Sequence, residues 1–247
     1  MLSIGVSFAL LMSTLIINAN AANNTLRVNF YVSDSFLSKN GVPTATTTYL
    51  NNYFNKVRNA YYGIAGIHLV KETFNYSNTS VISTPADECP YTTGSGYNNL
   101  CSCVSTSDCS NNNSNHHTNA VYIKDQYLPS GSLNTHANVL LVSHKICWVK
   151  PSGEHGYLVG MAWKNTHRAI LRDTIMSDSD GDYSLFREVM AHELGHLYTV
   201  TDHYGDNDPH PNCIWGNNRH QRVIATRMTM CSTCRETLIS NKSKYNQ

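Results

Sequence analysis

The sequence predicts an α+β fold, and three observations carry that prediction. A strand-like run, a long helical run and a second strand-like run follow one another between residues 26 and 70. Leu185, Val189, His192 and His196 form a single helical stripe in the second half, across the run His-Glu-Leu-Gly-His. Further strand-like runs lie between these helices, and another helical run closes the chain.

In chain order, residues 1–21 read as a signal peptide. Residues 4–17 are mostly apolar, and Ala19, Asn20 and Ala21 resemble a signal cleavage site. The apolar run is shorter than the roughly 20 residues a membrane span needs. The expected mature chain, 22–247, forms a single domain. Residues 26–32 alternate apolar and polar and predict a strand. Leu50, Phe54, Val57 and Tyr61 are spaced four, three and four apart, which predicts a helix over 46–62. A short strand is expected at 66–70. Residues 72–118 are rich in Ser, Thr, Asn and Gly and hold four cysteines; they read as a loop insertion pinned by disulfides. Residues 121–123, 138–143, 156–164 and 168–172 are strand-like, and 230–240 reads as the closing helix.

Composition narrows the function classes. Charged residues are 14% and the formal net charge is +1, which leaves no electrostatic case for nucleic acid. No second long apolar run exists, so the mature chain is expected off the membrane, extracellular and monomeric. Eight cysteines fit an oxidising compartment. Five precede the His-Glu-Leu-Gly-His helix and three follow it, so full pairing would need a bridge between the two halves. Cys231 and Cys234 could also hold a structural zinc, but a secreted chain with no second C-x-x-C favours disulfides.

The chemistry sits on His192, Glu193 and His196. Residues i and i+4 of a helix share a face, so two imidazoles there can grip one zinc ion. Glu193 points beside the metal, where it can act as a general base. Asp182 and Ser184 are N-cap candidates for this helix. A catalytic zinc needs a third protein ligand, and the next candidates are Asp202 and His203. On an unbroken helix His203 would share the face but lie about 10 Å further along the axis. The helix must therefore stop soon after His196, and the chain must fold back. Residues 177–182, Ser-Asp-Ser-Asp-Gly-Asp, are similar in composition to a Ca2+ loop. They lack its spacing and its terminal glutamate, and a turn ahead of the helix is the favoured role.

These residues carry a family resemblance. H-E-x-x-H with a third ligand six residues on resembles the metzincin metalloproteases, whose pattern is H-E-x-x-H-x-x-G-x-x-H followed by a Met-containing turn. Asp202, His203 and Tyr204 resemble the snapalysin branch, where the aspartate ligates zinc. The order of elements resembles adamalysins. The resemblance implies a mixed twisted sheet packed on two long helices, with disulfide bracing. It implies His192, His196 and Asp202 as zinc ligands, with His203 as the alternative third ligand. Thr199 stands at the family's glycine, and a β-branched residue tolerates positive φ poorly, so a differently built loop is expected. Cys213, Ile214, Trp215 and Gly216 look like the Met-turn with Trp215 in place of methionine; Met228 and Met230 are the other candidates. The segment 160–163 resembles the sheet edge that pairs with a peptide substrate.

The expected function is a secreted zinc endopeptidase acting on protein or peptide substrates, with Glu193 as general base. Two other classes fit the same residues. One is a non-catalytic binding or toxin-like module on a degenerate metzincin fold, which Thr199 and Trp215 suggest. The other is a different zinc amide hydrolase, an amidase or a carbohydrate-associated enzyme.

Overall fold

The computed structural model describes residues 24–34, 36–37, 43–76, 117–118, 120–129, 136–142, 146–149, 155–164, 166–172, 184–203, 209–216 and 229–245. The signal-peptide reading, the calcium-like run at 177–182, Met228 and the cysteines at 89–109 lie outside these residues.

The elements follow from apolar spacing. Strand β1 (Thr25–Val32) buries Leu26, Val28, Phe30 and Val32, every second residue. Helix α1 (Pro43–Ala65) buries Leu50, Tyr53, Phe54, Val57, Tyr61 and Ala65, one stripe of a 3.6-residue period. It ends at Gly66, whose φ of 68° is the left-handed conformation common at helix ends. β2 (His68–Tyr76) follows and pairs parallel with β1. It is longer than the short strand expected, and it takes in the first residues assigned to the loop insertion.

β3 (His117–Thr118) leads into α2 (Ala120–Tyr127). Residues 121–123, expected as a strand, are therefore helical. Ala120 and Ile123 are three apart and both buried, the spacing of one helix face. β4 (His136–Val142), β5 (Ile146–Val149), β6 (His155–Leu158), β7 (Gly160–Trp163) and β8 (Arg168–Arg172) complete the strands. The run expected as one strand over 156–164 is two, in different sheets.

The main sheet has the order β2-β1-β4-β8-β7. Its first four strands are parallel, and β7 runs antiparallel at the edge. A small antiparallel sheet, β3-β5-β6, stands beside it. Both faces of the main sheet are covered, which explains the near-continuous apolar run of β4. Ala137, Val139 and Leu141 face the cluster shared with α1 and the histidine-bearing helix. Leu140 and Val142 face α2.

That helix is α3 (Ser184–Leu197), and it packs on β7, β8 and α1. Phe186 anchors it against Phe36, Tyr49 and Tyr53, with ring centroids 5.8 Å from each. Tyr61 of α1 donates its hydroxyl hydrogen to the Ala191 carbonyl at 2.6 Å. Of the two helices expected to be long, α1 has 23 residues, whereas α3 has 14 and is of ordinary length. Helix α4 (Ser232–Ser240) and the turn after it return to both helix ends. Lys244 Nζ and the Tyr245 hydroxyl reach the Leu197 carbonyl at 2.6 and 3.0 Å, and Arg235 Nε reaches that of Ile64 at 3.2 Å. Cations there satisfy orphan carbonyls and complement the helix dipole. Among the described residues no helix is long and apolar enough to cross a membrane.

Glu188 lies buried in α3, and burial lifts its carboxyl from 4.5 to about 8 against the opposing pull of Arg187. The folded chain thus keeps a proton that the unfolded chain releases. Its stability falls as pH rises from about 4.5 through about 8. Urea unfolding of metal-free wild type and Glu188→Gln, at about pH 5 and about pH 9, checks this. The variant should gain on the wild type as pH rises; a constant gap between the two would contradict it.

Candidate functional site

His192 and His196 sit one turn apart on α3, and backbone carbonyls fix both rings. His192 Nδ1 lies 2.8 Å from the Ile214 oxygen, and His196 Nδ1 lies 2.7 Å from the Val200 oxygen. A carbonyl can only accept, so each Nδ1 carries the hydrogen. In the neutral rings both Nε2 atoms are then lone pairs, and they face each other at 3.0 Å. Asp202 Oδ1 completes the group, 3.2 Å from His192 Nε2 and 3.5 Å from His196 Nε2. Three electron-rich atoms held this close repel one another unless a cation lies between them. Two ligands bound tetrahedrally to zinc at about 2.0–2.1 Å stand about 3.3 Å apart, and the three distances bracket that value. The donor set therefore fits zinc.

Two carboxylates border this spot, and distance separates them. Glu193 Oε1 is 4.0 Å from His192 Nε2, further off than Asp202. Glu193 is also buried, whereas the Asp202 side chain is 34% exposed and opens to solvent. Gly160, on the edge strand β7, lies directly over Glu193. A Cβ there would stand 2.7 Å from both Glu193 Cγ and Oε1.

The end of α3 is what brings Asp202 back. Thr199 N–H donates to the His196 carbonyl at 2.9 Å, and Val200 N–H donates to the Gly195 carbonyl at 3.2 Å. This is the pairing of a Schellman helix end, with Thr199 at the left-handed position, φ 68°. The expectation of a differently built loop is corrected. A threonine adopts the conformation usually left to glycine, because two backbone hydrogen bonds hold it there. The same turn aims the Val200 carbonyl at His196.

Trp215 forms the floor. It is fully buried, stacks on His192 at 6.2 Å between centroids, and donates from Nε1 to the His192 carbonyl at 3.0 Å. Gly195 makes room for it: a Cβ there would lie 2.0 Å from Trp215 Cζ2. Of the other candidates for this position, Met230 is partly buried against the main core.

His203 does not join the imidazole pair. It belongs to a second cluster with Cys213, Cys231 and Cys234, whose ligand atoms all lie within 4.8 Å of one another. His203 Nε2 is 3.8 Å from Cys231 Sγ. The three cysteines are free, which corrects the expectation that disulfides brace this end of the chain. Backbone N–H groups of Cys231 and Cys234 point at the sulfurs of Cys213 and Cys231, at 3.3 and 3.5 Å. The hydrogen bond with Cys234, helped by backbone groups of Cys231 and Trp215 and by His203, lowers the Cys213 thiol to about 5 against burial. That same hydrogen bond, with burial, raises Cys234.

The structure brings the expected residues His192, Glu193, His196 and Asp202 together over Trp215. Sequence reasoning set aside Cys231 and Cys234 as a metal pair in favour of disulfides, did not join Cys213 and His203 to them, and did not foresee the approach of Gly160 to Glu193. It also passed over Gly195, although a glycine inside a helix is a signal for close packing.

No protein-family model matches this sequence, and no curated protein matches it. Among solved structures, the chain is similar to archaemetzincin from Methanopyrus kandleri, at 14% identity and a TM-score of 0.48 over 88% of this chain and 96% of that one. It is also similar to a zinc-dependent peptidase from Methanocorpusculum labreanum, at 13% identity and TM-score 0.41, over 85% and 99%. A third is archaemetzincin from Archaeoglobus fulgidus complexed with malonate, at 12% and 0.41, over 86% and 99%.

The left-handed Thr199 has a measurable consequence. The conformation costs an L-residue roughly 1–2 kcal/mol, while glycine loses about 0.5–1 kcal/mol of unfolded-state entropy. Thr199→Gly should stabilise the protein by about 0.5–1 kcal/mol in denaturant unfolding, with metal content unchanged. A loss of stability would mean that the Thr199 side chain, not its backbone, governs the turn.

Proposed function

We propose that this protein is a zinc-dependent peptidase and, within that class, a secreted endopeptidase. One arrangement carries the reading: two imidazole lone pairs and the Asp202 carboxylate converge, with both Nδ1 hydrogens already committed to backbone carbonyls. His192, His196 and Asp202 would hold the ion, and His203 is engaged elsewhere. Bound zinc acidifies a water and polarises the carbonyl it meets.

The chain's own groups supply the rest. Glu193 stands beside the ligands, close enough to take a proton from the attacking water and return it to the leaving amine. Its burial keeps competing solvent away from that transfer. The absence of a Cβ at Gly160 leaves the space that the Glu193 side chain occupies. Among the described residues β7 is the outermost strand of the main sheet and lies next to α3, a position suited to an extended peptide through main-chain hydrogen bonds. Secretion rests on the apolar character of residues 4–17 and the small residues that follow.

A binding module on a degenerate protease fold would share the metal ligands. It would have no use for a buried carboxylate set beside the two imidazoles. Casein and peptide hydrolysis, with and without chelator, separate the two readings. Glu193→Gln should lower turnover by about 10²–10⁴-fold while zinc content stays the same. Gly160→Ala, which displaces the Glu193 carboxylate, should lower kcat by about 10²-fold, again with zinc retained. Undiminished turnover in Glu193→Gln would reject the peptidase mechanism.

A further inference from the structure

We infer that the face of the main sheet turned away from α3 carries a second binding site, which takes an acidic oligosaccharide along the row Thr73, Asn29, Asn138 and Arg168. The site is separate from the histidine centre and does not depend on its reading as a peptidase.

The row is fixed by register. Asn29 of β1 stands opposite Thr73 of β2 on one side and Asn138 of β4 on the other, and Asn138 stands opposite Arg168 of β8. Residues in register on neighbouring strands share a face. Val28, Phe30, Ala137, Val139 and Ala169 flank the row along their strands and enter the core beneath α1 and α3. The row therefore points to the α2 side. Leu140 and Ile170, two residues further along their strands, are covered by α2. The row crosses four strands, a strip about 15 Å long at the usual strand spacing.

Its composition runs against local preference. Asparagine is depleted in strands, yet two stand here side by side. A sheet that breaks its own rule in one row does so where function asks for it. The side chains form a directed chain. Asn75 Nδ2 donates to Thr73 Oγ1 at 3.0 Å, and the Thr73 hydroxyl donates to Asn29 Oδ1 at 2.8 Å. Asn29 Nδ2 donates to Asn138 Oδ1 at 3.2 Å. The chain ends with Asn138 Nδ2, a donor for which no described residue is the acceptor. Asn138 is 7% exposed and its neighbour Arg168 8%, whereas Thr73 at the far end is exposed. The strip thus descends from an open end to a deep one.

The deep end attracts an acid. A guanidinium has five donors and accepts nothing, so Arg168 can hold a ligand carboxylate beside any partner it already has. Trp163 of β7 stands opposite Arg168, and Lys124 of α2 lies 4.9 Å over its ring. His136 is two residues before Asn138 and opposite Arg27. Burial lowers the His136 pKa, and the Arg27 charge lowers it further. Among the described residues of this face the acid is Glu72, which Arg27 holds in an ion pair. The balance of charge is positive. Amides and hydroxyls both donate and accept, which is what sugar hydroxyls require. A small inorganic anion would use the deep end alone. An extended peptide pairs with a strand edge, and this row crosses the interior of a sheet.

Calorimetric titration of the whole protein at low salt, with chelator present, tests the site. The probes are trigalacturonate, galacturonate, maltotriose and sulfate. Trigalacturonate should bind about tenfold or more tightly than each of the others, because it alone engages both the charged end and the polar row. Arg168→Gln should bring trigalacturonate down to the level of maltotriose. Thr73→Val, an exposed change that leaves the core intact, should weaken trigalacturonate several-fold and leave galacturonate unchanged. Sulfate or galacturonate binding as tightly as trigalacturonate would reduce the site to an anion pocket and overturn the inference. So would equal binding of maltotriose, or an Arg168→Gln protein that binds trigalacturonate as the wild type does. If Arg168→Gln fails to fold, the wild-type comparison and Thr73→Val decide. Absence of peptide hydrolysis would count against the peptidase reading alone and leave this result standing.

Discussion

The site depends on two hydrogen bonds from imidazole to backbone. Ile214 and Val200 each accept from a histidine Nδ1, and so decide which nitrogen of each ring is left to bind a metal. Neither carbonyl lies in the His-Glu-x-x-His run. One comes from the turn just after the helix and the other from a segment more than a dozen residues on. The motif places two rings on one face of α3, but only the chain beyond it fixes their tautomer and tilt. The helix end is therefore part of the chemistry. It must come at Leu197, because the Val200 carbonyl and Asp202 both have to return beneath the rings.

That early end leaves polar groups to be satisfied, and the C-terminal segment satisfies them. Lys244 and Tyr245 meet at the Leu197 carbonyl, and Arg235 meets Ile64 at the end of α1. Burial beside these carbonyls lowers the Lys244 ammonium pKa, a cost offset by the charge-assisted hydrogen bonds it makes to Leu197 and Lys164. The three tyrosines Tyr61, Tyr198 and Tyr245 pack together under the same helix, and burial raises all three phenols. The sheet and α1 support α3 from one side, and the returning C-terminus closes it from the other.

Much of this was legible in the sequence where a single period governs. The stripe from Leu50 to Tyr61 and the alternation from Leu26 to Val32 are read directly, because each has one buried face. Val121, Tyr122 and Ile123 were misread because three apolar residues fit a strand or a helix, and tertiary packing made the choice. Thr199 was misread for a different reason. Intrinsic preference argues against positive φ for threonine, but the paired hydrogen bonds of the helix end outweigh it. The cysteines misled because they were counted against one another. Parity pairs cysteine only with cysteine, whereas Cys213, Cys231 and Cys234 stand free and gather around His203.

The adjacency of Asp202 and His203 is the most economical feature of the molecule. Sequence reasoning treats them as rivals for one position, since either could be a third ligand. In the fold they are not rivals, because the two side chains reach different groups. One side chain reaches the imidazole pair and the other reaches the cysteines. Any displacement of this dipeptide is felt at both clusters, and any restraint on one is imposed on the other. Glycine at 195 and at 160 tightens the same region from two further directions, below the rings against Trp215 and above the Glu193 carboxylate. Side chains with Cβ atoms at those two positions would push apart the groups that the helix end brings together. The chemistry is thus built less by the five letters of the motif than by how closely backbone is allowed to approach it.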